Sequence, residues 1–274
     1  MYNASSMPTP AVHLALAQKM LRREDLSPVV VEHLMEHRGA FLLGHTGPDV
    51  RSVSGQDREA SHFYTVPRSS NRSARERLLT SHPSLARRDA LTQPQIAFVA
   101  GYLAHLELDE LWLDEVFQVF VQGSWASLRQ RLFLHNVLRT WLDYQAQERL
   151  GRNVAQALQS VQPSGWLEFV RDADLREWRD WLVRQLAPGR RMETAEVFGE
   201  RMGIPASEID AVAQSPERME ELVFRHYPAS ALAAFQETGY ARSVSLVQAY
   251  VSALTCPDVE VDCSDNVRSV RSTI

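Results

Sequence analysis

Residues 98–112 read FVAGYLAHLELDELW, and this stretch constrains the fold more than any other. It is apolar enough to form a core helix, yet it carries His105, Asp109 and Glu110. His105 and Asp109 lie four positions apart, so a helix stacks them one turn above each other on one face, which Trp112 continues. An ionised aspartate inside a core requires a partner. An imidazole and a carboxylate at this spacing can begin a zinc site. A buried arginine or a hydrogen-bond network is the other way to balance the charge.

The rest of the chain supports a helical reading. Of 274 residues, 45% are hydrophobic and 23% charged, proportions that allow a sizeable core in one large domain or two small ones. With 12 Gly and 13 Pro, the chain is too poor in turn residues for a β-rich fold, and the expected class is all-α, a multi-helix bundle-like domain with additional C-terminal helices. The net charge of −5 without a basic block argues against binding a nucleic-acid polymer, although a small phosphate-bearing substrate needs only local positive charge or metal. No apolar run reaches the ~18 residues of a membrane span. The N-terminus lacks the basic and apolar regions of a signal peptide, so a cytoplasmic location is the expectation. Cys256 and Cys263 build no disulfide framework and read as free thiols in a polar, disordered tail over 256–274.

Taken in order, Thr9-Pro10 and Ser27-Pro28 are helix starts, predicting helices to about Arg23 and His37. The second contains His33, Glu36 and His37 in the H-x-x-E-H order of inverted zinc proteases, but an exposed polar helix face is the preferred reading. Residues 45–73 form the longest polar stretch and are expected to be a loop, with Phe63-Tyr64 packing it down. A short helix is expected over 74–81, then the central helix over about 93–121, broken at Gly123, and another over about 125–149. Beyond Trp166 the pattern predicts helices over 166–186, 194–202, 206–214, 217–226, 230–238 and 243–254, with Gly239 as a break. Residues 1–150 are therefore expected to hold the chemistry and 151–255 to form a helical extension packed on them.

Four short pieces, PTPAVHLALA, FLLGHTGPDV, ASHFY and GYLAHLELDELW, occur in an order and spacing that resemble the zinc-dependent phospholipase C family, in the all-helical superfamily that also contains the P1/S1 nucleases. The resemblance covers residues 1–145. It implies a polynuclear zinc cluster, with iron as the alternative metal, in which Asp49, His62, His105 and Asp109 form one site and His13 serves a neighbouring metal. In the family the cluster polarises a phosphoryl oxygen and activates water for in-line attack. The pattern departs further on. Glu115 stands near the place of a family histidine, His135 is present, and one turn later comes Arg139 instead of an acidic ligand, with Asp143 two turns on. Glu115, His135 and Asp143 are candidate ligands of a variant second site, with ordinary polar helix positions as the alternative reading.

Around these, Asp49 is a candidate proton acceptor, Arg51, Arg58 and His45 are candidate substrate contacts, and Glu110 and Asp57 are candidate orienting carboxylates. The resulting expectation is a zinc-dependent hydrolase cleaving a phosphoester or phosphodiester in a small-molecule or lipid substrate. A biosynthetic or oxidative metal enzyme on the same scaffold, or a non-catalytic structural zinc protein, are the alternatives.

Overall fold

A computed structural model describes residues 8–67, 71–151, 153–187 and 189–255. The expected tail with Cys256 and Cys263 lies outside them. Among the described residues there are helices and no strands, so the chain is all-α. No helix among them is long and apolar enough to cross a membrane.

The N-terminal half comprises α1 (Pro10–Arg22), α2 (Pro28–Glu36), α3 (Arg38–Gly44), α4 (Arg51–Ser54), α5 (Arg58–His62), α6 (Ala74–Ser81), α7 (Gln93–Trp112), α8 (Gln118–Gln122) and α9 (Leu128–Arg149). The C-terminal half comprises α10 (Asn153–Gln159), α11 (Asp172–Gln185), α12 (Thr194–Met202), α13 (Ala206–Ala213), α14 (Pro216–Met219) and α15 (Ala229–Thr255). One set of buried apolar side chains runs through both halves, from Leu14 on α1 to Leu254 on α15.

The axis of this arrangement is α7, buried over most of its length, with α3 against one side and α15 against another. The contact with α3 is a glycine seam. A Cβ on Gly44 would overlap the Phe98 carbonyl, and one on Gly101 would lie 2.8 Å from the backbone nitrogen of His45. Only bare backbone at these two positions lets the helices approach this closely.

Three expectations are corrected. The stretch 45–73 is not simply a loop, because it holds a short 3-10 turn (Gly47–Val50), α4 and α5. These pieces are too short to show helical periodicity and are fixed from outside: Trp178 on α11 donates to the Thr46 carbonyl at 2.8 Å, Gln56 to the Phe169 carbonyl at 2.7 Å, and Tyr102 on α7 to the Ser61 carbonyl. The central helix is not regular to 121, because residues Leu113–Phe117 widen into a π-turn. Finally, Gly239 does not break a helix. It lies inside α15, where a Cβ would meet Leu108 of α7 at 2.7 Å, so it serves close packing.

Candidate metal centre

The candidate ligands arrive on separate elements. His13 projects from the first turn of α1, Asp49 from the 3-10 turn, His62 from the end of α5, and His105 and Asp109 from adjacent turns of α7. The placements of His13 and His62 have identifiable causes. Asp143 on α9 accepts from the Thr9 hydroxyl just before α1, which fixes the helix that carries His13. It also accepts from the Thr194 hydroxyl at 2.6 Å, which fixes the start of α12. Phe63 ends α5 immediately after His62 with φ of 60°, a left-handed conformation that costs a non-glycine residue of order 1 kcal/mol and is held by burial of its ring against Phe169.

The four imidazoles of His13, His45, His62 and His105 and the carboxylate of Asp109 are wholly buried, and only Asp49, with a side chain 21% exposed, reaches solvent. His13 and His105 stack at 3.8 Å between ring centres, with His62 edge-on to His105 at 5.4 Å. The tautomers follow from the hydrogen bonds. His105 Nδ1–H donates to the His45 carbonyl at 2.9 Å, and His62 Nδ1–H to Ser61 Oγ at 3.0 Å, whose hydroxyl turns to the Arg58 carbonyl. Both Nε2 lone pairs therefore point inward.

Those inward atoms have no hydrogen-bond partner among the described residues: His13 Nε2, His62 Nε2, His105 Nε2 and Asp109 Oδ1. They are nonetheless close. His13 Nε2 lies 3.4 Å from Asp109 Oδ1, His105 Nε2 3.4 Å from Asp109 Oδ2, and His62 Nε2 3.6 Å from both Asp49 Oδ1 and Asp109 Oδ2. These separations are long for N–H···O bonds. They approach the edge of a tetrahedron around zinc, about 3.3 Å for ligands about 2.05 Å from the ion. Two triads, His13–His105–Asp109 and Asp49–His62–His105, bring their ligand atoms within 4.8 Å of one another, close enough to hold a metal ion. Imidazole nitrogens and carboxylate oxygens are donor types that suit a borderline divalent ion.

Asp109 has a second source of charge balance. Arg58 donates to its Oδ2 at 2.7 Å and Tyr64 Oη at 3.1 Å, while Arg58 also reaches Tyr64 Oη at 2.5 Å. Metal-type ligands and a buried arginine thus meet on one carboxylate. The protonation pattern agrees with this crowding. Burial favours the neutral form of Asp109, but the charges and hydrogen bonds of His105, His13 and Arg58 outweigh it and hold its pKa well below the usual range. Burial likewise opposes ionisation of Asp49, and His62 and His105 bring it down to about 2. Burial, and then the Arg58 charge, lower His62 to about 3. Burial and the neighbouring His105 lower His13.

Of the candidate residues, His13, Asp49, His62, His105 and Asp109 converge, and Arg58 joins them through Asp109. His45 contributes its backbone carbonyl, while its ring packs edge-on against Phe41 at 4.7 Å. The others are placed elsewhere. Glu115 is exposed on the π-turn, whose extra residue alters the helical phase after Asp109. His135 accepts from Trp112 Nε1 at 3.0 Å and packs among Phe117 and Phe120. It is a core histidine and belongs to neither triad. The Glu110 carboxylate accepts from the Ala74 backbone at 3.0 Å, at the start of α6. Asp57 is exposed, and its charge acts on Arg51. His33 and His37 form an edge pair at 5.1 Å on α2 and join neither triad.

Sequence reasoning missed Tyr64 as a contact of Asp109, treating it only as packing. Its position two residues after His62 was the available signal.

No family model matches the chain, nor does any curated protein or solved structure.

Proposed function

We propose that the chain is a metal-dependent phosphoesterase that holds zinc in the His13, Asp49, His62, His105 and Asp109 set, as its resemblance to zinc-dependent phospholipase C implies. One observation carries this reading: buried histidine nitrogens and carboxylate oxygens stand 3.4–3.6 Å apart, and four of them lack any hydrogen-bond partner among the described residues. Desolvated lone pairs in that arrangement are costly without a cation.

A bound divalent ion supplies charge stabilisation at a phosphoryl oxygen and makes water more acidic. The chain's own groups do the positioning. The His45 carbonyl fixes the ring of His105, Ser61 fixes that of His62, and Arg58 with Tyr64 fixes Asp109. Asp49 lies at the solvent side. Held at about 2, its carboxylate is a weak base at neutral pH, which suits it to ligation better than to proton transfer.

Elemental analysis of protein purified without added metal or a His tag, paired with hydrolysis assays on phosphoester substrates, tests the reading. Zinc in the wild-type chain, lost together with hydrolysis in His105→Ala and Asp109→Asn, is the expected result. Retained zinc and full hydrolysis in both variants would sink it. The complete burial of Asp109 and the ligand histidines favours a second reading, a structural metal. Zinc in the wild type with no hydrolysis of any phosphoester would select that one, and iron in place of zinc would point to oxidative chemistry.

A further inference from the structure

The two ligand triads share one residue. His105 belongs both to His13–His105–Asp109 and to Asp49–His62–His105. Its Nδ1–H is donated to the His45 carbonyl at 2.9 Å, so only Nε2 is left to face the ligand set. An imidazole nitrogen has one lone pair and holds one ion. Filling either triad therefore takes His105 from the other.

With His105 in the first triad, Asp49 and His62 are left as a pair. A zinc site takes at least three protein ligands. Asp109 could complete that pair by bridging two ions, since its Oδ2 lies 3.6 Å from His62 Nε2. That oxygen is already engaged. It accepts from Arg58 Nη2 at 2.7 Å and from Tyr64 Oη at 3.1 Å, which uses both of its lone-pair sites. A divalent ion at Oδ2 would also stand beside the Arg58 guanidinium, and like charges repel strongly at that range in a buried site. The free oxygen of Asp109 is Oδ1, which has no hydrogen-bond partner among the described residues and faces His13 Nε2 at 3.4 Å. Asp49 is no part of the first triad, and the ring of His45 joins neither.

We infer that the centre holds one divalent ion, ligated by His105 Nε2 and reached by Asp109 through Oδ1 alone. The inference rests on the metal reading above and departs from the polynuclear cluster that the family resemblance implies. The open side of the centre is at Asp49, whose side chain is 21% exposed while those of His13, His62 and Asp109 are at 0%. One ion can polarise one phosphoryl oxygen and acidify one water. It cannot clamp the attacking and leaving oxygens together as a metal pair does.

The experiment counts ions on the full chain, in a Cys256→Ser/Cys263→Ser background so that thiolates add none. Chelator-treated protein is titrated with cobalt(II) and followed by visible absorption. Zinc-loaded protein is passed through gel filtration, and its zinc is measured against protein. Both readouts are expected to give one equivalent. His13→Ala and His62→Ala each break one triad and are expected to keep a break at one equivalent. His105→Ala breaks both and is expected to bind none, with its helical content checked by circular dichroism. Should that variant fail to fold, the wild-type and His13→Ala counts decide. Two equivalents in the wild type, falling to one in His13→Ala, would overturn the single ion and leave the metal reading standing. A full equivalent retained by folded His105→Ala would overturn the shared ligand on which the inference stands. No bound ion in the wild type would overturn the inference and the metal reading together.

Discussion

His105 Nδ1–H donates to the backbone carbonyl of His45 at 2.9 Å across the glycine seam between α3 and α7. The orientation of one buried ligand-type ring therefore depends on how closely two helices pack. Gly101→Ala places a methyl group against the Phe41 carbonyl and the His45 nitrogen. We expect it to cost about 1–3 kcal/mol of stability through overpacking. Zinc affinity should fall too, because the His45 carbonyl moves away from His105. Chemical denaturation and zinc titration on the same samples check both effects.

Arg58 and Tyr64 donate to the carboxylate oxygen of Asp109 that also faces His62 and His105. Arg58→Met leaves a buried carboxylate short of positive charge, and the metal-free protein should lose about 3 kcal/mol. Saturating zinc should restore part of that loss, because an ion that binds only the folded state stabilises it by mass action. Melting curves with and without zinc report the difference. A destabilised variant that zinc does not rescue would argue that the arginine alone balances Asp109.

Asp143 couples two helix starts, that of α1, which bears His13, and that of α12. Burial lifts its carboxyl above the ordinary value, although the Thr194 and Thr9 hydroxyls donate to it. Asp143→Ala removes both acceptors and should cost about 2–3 kcal/mol. Local loosening of both helix starts should follow, visible as faster amide exchange in the first turns of α1 and α12 than in α15.

His135 provides a pH dependence away from the ligand set. Burial first, and then the Arg139 charge, hold it well below the ordinary histidine value of 6.5, so it is neutral in the folded protein. The unfolded chain takes up a proton below pH 6.5 while the folded chain does not. The unfolded state then binds more protons, and this residue's contribution to stability falls as pH drops, by about 1.4 kcal/mol per pH unit. Above that window the contribution is flat. Urea unfolding at pH 5 to 7.5 should show a shallower acid slope for His135→Gln, whose side-chain oxygen can still accept from Trp112.

The all-α class and most helix positions were legible in residue pattern because periodicity, N-caps and prolines are local signals. Pro10, Pro28 and the Ser73 cap each stand at an observed helix start. The i,i+4 pair His105 and Asp109 was equally local, and so was the conclusion that a buried Asp109 needs a partner. What no local signal contained was the identity of that partner. His13, His62 and Arg58 reach Asp109 across long sequence separations, with the Gly44–Gly101 seam, Trp178 on Thr46 and Asp143 on Thr9 fixing the elements around them. The same contacts turned 45–63 from an expected loop into short, pinned helices. The family resemblance also offered Glu115 and His135 as candidate ligands, but Glu115 is exposed on the widened turn and His135 accepts from Trp112 in the core. Helical phase and tertiary burial decide where a polar side chain points, and each depends on packing that no stretch of sequence carries by itself.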